Sequence, residues 1–408
     1  MTRRWRTWVL VLAACGCAWA GWRLLGQMQA ERYASTDPVR ALRWRADDPR
    51  ALLALAEQQL ASGRLDDAKA TARRLLAREP LQGEAFRILA EASERSGDPA
   101  GALRLYRIAA KRAPRDQAAR MWLARHALQQ GDHREALVQI DGLLRVSPRR
   151  AGALYPALVQ LAQDPAFAEA LAQALARDPP WRAGLMARLR DPRRGNPRAA
   201  GLVMQALQAR GALAEDDYAR WLDSLMAQGR WGEAYARWAG RAVKIGGRLP
   251  PLYNGDFALE PSNAGFDWRI RRVPGVLLQF EPVAGQPGQA AYFQFLGRRI
   301  PSAGLEQPLL LGPGRYRLDF QVRAQALRSE MGLEWQLVCA GPAGVVARSD
   351  AIDGNQGWRK MHMEIGIPEA GCPGQWLRLV NPVPAGPAQR LEGQLWVADM
   401  RLQRVDAP

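Results

Sequence analysis

The spacing of apolar residues changes near residue 246. Before it, alanine and leucine recur at three- and four-residue steps, the period of helices that bury one stripe. After it, apolar and polar residues alternate. In Gly314–Leu327, Tyr316, Leu318, Phe320 and Val322 fall on one side, and Arg317, Asp319, Gln321 and Arg323 on the other. That alternation predicts a half-buried antiparallel strand. Similar runs, such as LLQFEPV, AYFQFLG and QWLRLVNP, predict eight or nine strands over residues 250–408, enough for a two-sheet sandwich of jelly-roll type. Residues 1–30 follow a third pattern. Arg3, Arg4 and Arg6 precede an uncharged apolar stretch, Thr7–Ala20.

The helical text is periodic. Gly63, Gly97 and Gly131 are evenly spaced along the chain, and Pro80, Pro114 and Pro148 keep the same interval. So do Ala68, Ala102 and Ala136, and Leu55, Leu89 and Leu123. An interval of this length holds one pair of helices. The glycine supplies a left-handed cap between them, the alanine lets the second pack closely on the first, and the proline ends the pair. Leu89, Ala90 and Phe86 are expected to face Tyr106 and Ala109. The pattern weakens after Pro148 but returns in Met226–Trp238, with Gly229 and Ala234. These registers resemble the tetratricopeptide repeat family, clearest over residues 48–148. The resemblance implies an α-solenoid over residues 38–245 that presents a groove to a protein partner.

The strand-rich half carries a second resemblance. LYNGDFAL and GFDWRI (Leu252–Leu259, Gly265–Ile270), LGPGRYRLDFQVRA and the closing LWVADMRLQRV are similar to galactose-binding-like jelly rolls of carbohydrate-binding-module type. The expected fold class is therefore multidomain α + β: a membrane segment, a tetratricopeptide-type solenoid and an antiparallel β-sandwich. The resemblance also implies a structural Ca²⁺ option, with Asn254, Asp256 and Asp399 as oxygen ligands. No other cofactor is expected.

Three readings of the N-terminus export the body. Ala18-Trp19-Ala20 fits a cleavage site, and Leu12-Ala13-Ala14-Cys15 fits a lipobox that would put lipid on Cys15. Thr7–Leu25 would otherwise be an uncleaved anchor with a snorkelling Arg23. The apolar run continues past both cleavage candidates, through Trp19, Trp22, Leu24 and Leu25, which favours the anchor over the lipoprotein and the cleaved signal. The expected place is a single pass in a bacterial inner membrane with the body in the periplasm, a lipoprotein or a cleaved periplasmic form being the alternatives.

Charge then narrows the choice of partners. The chain carries +17, from 57 Lys+Arg against 40 Asp+Glu. Residues 1–250 hold 41 basic and 25 acidic residues, and residues 251–408 hold 16 and 15. Only Lys69, Lys111, Lys244 and Lys360 are lysines, so the excess is arginine and reads as compositional bias. It is densest in Ala176–Gly201, where Arg182, Arg188, Arg190, Arg193, Arg194 and Arg198 suggest either a solvated connector, partly loop, or a patch for an acidic partner, anionic glycan or lipid. No aromatics interleave with them as a single-strand nucleic-acid site requires, and an exported body does not meet nucleic acid routinely.

Candidate ligand residues lie in the sandwich. Aromatic rings stack on the apolar faces of sugars. Trp358, beside Asp353 and Asn355 at an expected loop–strand edge, is the first candidate, with Tyr292. Trp335, Trp376 and Trp396 sit in strand-like text and are expected in the core, as is Trp268, which follows the fold-marker Asp267. Cys339 and Cys372 would meet an oxidising compartment and could pair. The sequence has no G-x-S-x-G, H-E-x-x-H, phosphate-binding glycine loop or C-x-x-C. His126 and His133 read as surface residues, and no spacing singles out a pair among Glu281, Glu306, Glu330 and Glu334. The expected function is a non-catalytic envelope scaffold serving exopolysaccharide or other surface-glycan assembly. The alternatives are a pure assembly scaffold, of secretion or cytochrome-maturation type, and a glycan-processing enzyme.

Overall fold

The computed structural model describes residues 2–246, 249–284, 288–386 and 389–405. The chain divides into two compact units: residues 1–189 with 194–212, and residues 190–193 with 213–408.

The first unit is helical. A long helix α1 (Thr2–Tyr33) is followed by α2 (Pro38–Trp44), α3 (Pro49–Ala61), α4 (Leu65–Arg78), α5 (Gly83–Arg95), α6 (Pro99–Arg112), α7 (Gln117–Gln129) and α8 (His133–Val146). After a 3₁₀ turn come α9 (Ala151–Leu161), α10 (Pro165–Leu175), α11 (Arg182–Arg190) and α12 (Pro197–Ala209). Among the described residues no helix is long and apolar enough to cross a membrane. The expected anchor falls partly on residues 1–7 and 9–11, whose side chains lie outside the described residues.

Local chemistry sets the helix ends. Gly63, Gly97 and Gly131 have φ of +76°, +83° and +72°. These are the left-handed caps that the periodic turn requires. Aspartates then start helices, each accepting a backbone N–H from the first turn. The Asp98 carboxylate accepts from the Gly101 N–H at 2.8 Å, and Asp132 and Asp164 do the same for Glu135 and Phe167. Ala68, Ala102 and Ala136 are completely buried, which brings the two backbones of each pair close. Successive pairs are also tied by charge. Arg87 reaches Glu57 on α3 at 2.6 Å and Asp116, at the start of α7, at 2.8 Å. The segment expected to be partly loop contains α11, whose Leu185, Met186 and Leu189 are buried.

The second unit opens with two more helices, α13 (Glu215–Ala227) and α14 (Trp231–Gly246). Among the described residues ten strands follow: β1 (Arg269–Ile270), β2 (Val276–Pro282), β3 (Gln289–Arg299), β4 (Ser302–Leu309), β5 (Gly314–Arg328), β6 (Glu334–Cys339), β7 (Val345–Arg348), β8 (Gly354–Ile367), β9 (Gln375–Val380) and β10 (Arg390–Arg404). They form two antiparallel five-stranded sheets, ordered β1-β4-β9-β6-β7 and β2-β3-β10-β5-β8. The core between them is aromatic: Trp268, Trp335, Phe257, Phe293 and Phe320 are at most 1% exposed. Tyr316, Leu318, Phe320 and Val322 point into it, as the alternation requires.

The helical pair covers part of the first sheet. Trp231 of α14 meets Trp376 of β9 edge to face at 5.9 Å, and Trp238 meets Tyr253 at 5.1 Å. A Cβ at position 374 would lie 2.0 Å from the Trp231 ring. Only glycine, with no Cβ, fits there. Arg269 pairs with Asp223 of α13 at 2.6 Å.

Candidate functional site

Sheet parity builds the site. Along β3, Ala291, Phe293 and Phe295 enter the core, so Tyr292 and Gln294 must face away from it. Along β10, Leu395 and Val397 enter, so Gln394 and Trp396 face out. The register places Tyr292 opposite Trp396, and Trp396 opposite Arg323 of β5. One step along, Gln294, Gln394 and Gln325 stand side by side on the same three strands. Gln279 of β2 extends the first row beyond Tyr292.

The geometry of the pair is fixed. The Tyr292 and Trp396 rings lie 4.8 Å apart, tilted by 31°. Trp396 donates its indole N–H to Glu281 at 2.7 Å, and the Arg323 guanidinium sits 4.8 Å from the Trp396 ring centre. Burial, with Glu281 nearby, pushes the Tyr292 phenol up, so it stays a neutral hydroxyl. A cavity of about 790 Å³ opens over the glutamine row, bordered further on by Leu296, Arg328 and Arg390. The result is a half-exposed strip, a pair of tilted rings beside a row of amides, with Trp396 between Tyr292 and the Arg323 guanidinium. The ring surface left exposed can pack against an apolar sugar face, and the amides can hydrogen-bond the hydroxyls around it.

The residues singled out from the sequence are distributed differently. Tyr292 is in this strip, but Trp358 lies on β8, with β10 and β5 between them. Three strand spacings put the two residues about 14 Å apart. Trp358 stands inside β8, at the irregularity between the Val322–Arg359 and Ala324–Gln356 pairs. Asn355 accepts the N–H of Ala326, at a register shift between β5 and β8, at 2.6 Å, while Asp353 is exposed. Trp268 and Trp335 are in the core as expected, whereas Trp376 and Trp396 are not. Both occupy the outward parity of their strands, which the run of strand-like text did not resolve.

Asn254, Asp256 and Asp399 do border one cavity, of about 390 Å³. Asn254 spends both ends of its amide on Leu259, donating to its carbonyl at 2.8 Å and accepting its N–H at 3.0 Å. Its amide holds a turn. Asp399 is paired with Arg401 at 2.8 Å. Cys339 and Cys372 form a disulfide between the end of β6 and the turn before β9.

The six connector arginines do not make one surface. Arg182 donates to the Leu175 and Ala212 carbonyls at 3.1 and 3.0 Å, closing helix ends. Arg190 pairs with Asp217 at 3.2 Å. Burial holds the Arg190 guanidinium below the usual arginine range. Arg188 is half-buried, and only Arg193, Arg194 and Arg198 are exposed. His126 is not a plain surface residue either. It stacks on Trp122 at 4.9 Å, which stacks on Tyr106 at 4.2 Å and donates to Glu94 at 2.7 Å. Glu306 and Glu334 are held by arginines in one sheet while Glu281 lies in the other, so these carboxylates are not gathered.

The tetratricopeptide repeat family model matches residues 53–103 and 94–144. Residues 53–144 are tetratricopeptide repeats. "Cellulose synthase 2 operon protein C" of Komagataeibacter xylinus is 36% identical over 166 residues, which are 39% of this chain and 12% of that protein. The chain thus matches about an eighth of that relative's length. Among solved structures, CBM4 is 11% identical, with a TM-score of 0.30, over 38% of this chain and 99% of that one. The tetratricopeptide protein YrrB is 11% identical, with a TM-score of 0.27, over 52% and 93%.

Proposed function

We propose that the protein is a non-catalytic accessory of exopolysaccharide assembly at the bacterial envelope. Its solenoid docks a protein partner, and the outward face of its β2-β3-β10-β5-β8 sheet holds a glycan. The observation that carries the glycan reading is the Tyr292–Trp396 strip with Gln294, Gln394 and Gln325 beside it. The charges beside the rings, Arg323 and Glu281, offset one another, so the strip suits a sugar without net charge. The operon named for the Komagataeibacter relative supports a polysaccharide setting. Exposed Trp19, Trp22, Leu24 and Leu25 on α1 support contact with a bilayer, and the disulfide supports an oxidising compartment.

The test is retention of the full chain on a panel of polysaccharides, cellulose included, with Trp396→Ala as the decisive variant. The expected result is retention of the wild type and a loss of about tenfold in affinity, or about 1.4 kcal/mol, in the variant with its melting temperature kept. Retention that Trp396→Ala leaves intact would overturn the site. No retention on any glycan would leave a protein scaffold with an inert sandwich.

A further inference from the structure

We infer that the cleft between α8 and α10 docks an acidic peptide segment of a partner protein, one that sets a carboxylate beside an aliphatic side chain. The inference refines, and rests on, the reading of the solenoid as a partner-binding body. It names the chemistry and the place.

Arg134, Leu137, Val138, Asp141 and Arg145 fall on one stripe of α8. Across from them α10 presents Ala170 and Ala174, whose small side chains leave an opening of about 290 Å³. Leu137, Val138, the two alanines and Pro179 make the apolar part of its walls, Gln173 and the charged residues the rest, and Val138 is left 48% exposed.

Charge decides what enters. Asp141 is already satisfied: Trp181 donates its indole N–H to one carboxylate oxygen at 2.8 Å, and Arg145 donates to the other at 2.8 Å. That leaves Arg134 and Arg177 exposed at the rim, a net charge of two positives over an apolar floor. Exposed guanidinium groups recognise carboxylates. A sugar ring finds no stacking face, because Trp181 is only 5% exposed. The volume admits a few side chains and not a folded domain. Both α8 and α10 are second helices of their pairs, so this surface is distinct from one built by the first helices.

The test probes an array of random hexapeptides with the full chain, as wild type, as Ala174→Leu and as Arg134→Glu/Arg177→Glu. Leucine at 174 fills the cleft without touching its charges, and a thermal melt reports that each variant folds. If Ala174→Leu does not fold, Ala170→Leu replaces it. The expected result is a set of peptides bound by the wild type, weakened about tenfold or more in both variants, and enriched in Asp or Glu next to an aliphatic residue. If no peptide depends on the cleft, or the dependent ones lack an acid, the inference falls. It also falls if alginate, and no peptide, binds in a cleft-dependent way. Peptides bound equally by all three proteins would keep the solenoid as a partner-binding body and overturn this cleft as the place. No bound peptide at all would remove both.

Discussion

At the scale of single residues, environment decides which side chains carry chemistry. Trp335 and Trp396 both sit in strands, yet one is fully buried and the other looks outward, because each strand alternates its faces. Tyr106 shows the same dependence on surroundings. It is buried, and Glu94 and Glu91 stand near it, so its phenol is held neutral well above the ordinary tyrosine range. A phenol whose folded value is raised contributes stability that is whole below pH ~10 and declines as pH climbs past that point. Tyr106→Phe should therefore flatten the alkaline decline. Tyr155 is raised by burial as well, so the decline lessens without vanishing. Melting curves between pH 8.5 and 11 for both proteins check this, and equal slopes would contradict it.

At the scale of elements, two local devices hold the repeats and the strands in place. Gly97 adopts φ of +83° to turn α5 into α6. A Cβ there meets no neighbour, so Gly97→Ala isolates the backbone strain. It should cost about 1–2 kcal/mol, read from the urea midpoint. A cost near zero would mean that the turn relaxes to another conformation. The Cys339–Cys372 bond closes a loop of 33 residues within the sandwich. By chain entropy its loss should cost about 3–4 kcal/mol. Urea unfolding of Cys339→Ser/Cys372→Ser measures it, and an unchanged midpoint would show that the strands hold this end without the bond.

At the scale of the molecule, the change in composition at residue 246 and the edge of the compact unit at residue 213 are different boundaries. The α13–α14 pair is written in helical text, but it covers Trp376, Phe266 and Tyr253 of the sandwich unit. A fragment of residues 213–408 should therefore be soluble and melt as one unit. A fragment of residues 250–408 should aggregate or melt lower, because those three aromatic rings lose their cover. Size-exclusion chromatography and calorimetry of the two fragments compare them directly, and equal behaviour would show the helical pair to be dispensable.

Local rules were enough to read the helices, their glycine turns and the alternation of β5, because caps and periods depend on neighbours in the chain. They also put Tyr292 among the candidate ligand residues and marked Cys339 and Cys372 as a pair that could form. They could not assign Trp396, since its face depends on the register of β10 against β3 and β5, strands far from it in the chain. Nor could they show that Asn254 is spent on a turn, that Arg182 and Arg190 close internal contacts, or that α14 seals a sheet. Those assignments follow from which surfaces meet after folding. Period and capping act over a few residues, whereas register and burial are settled by the packing of distant segments.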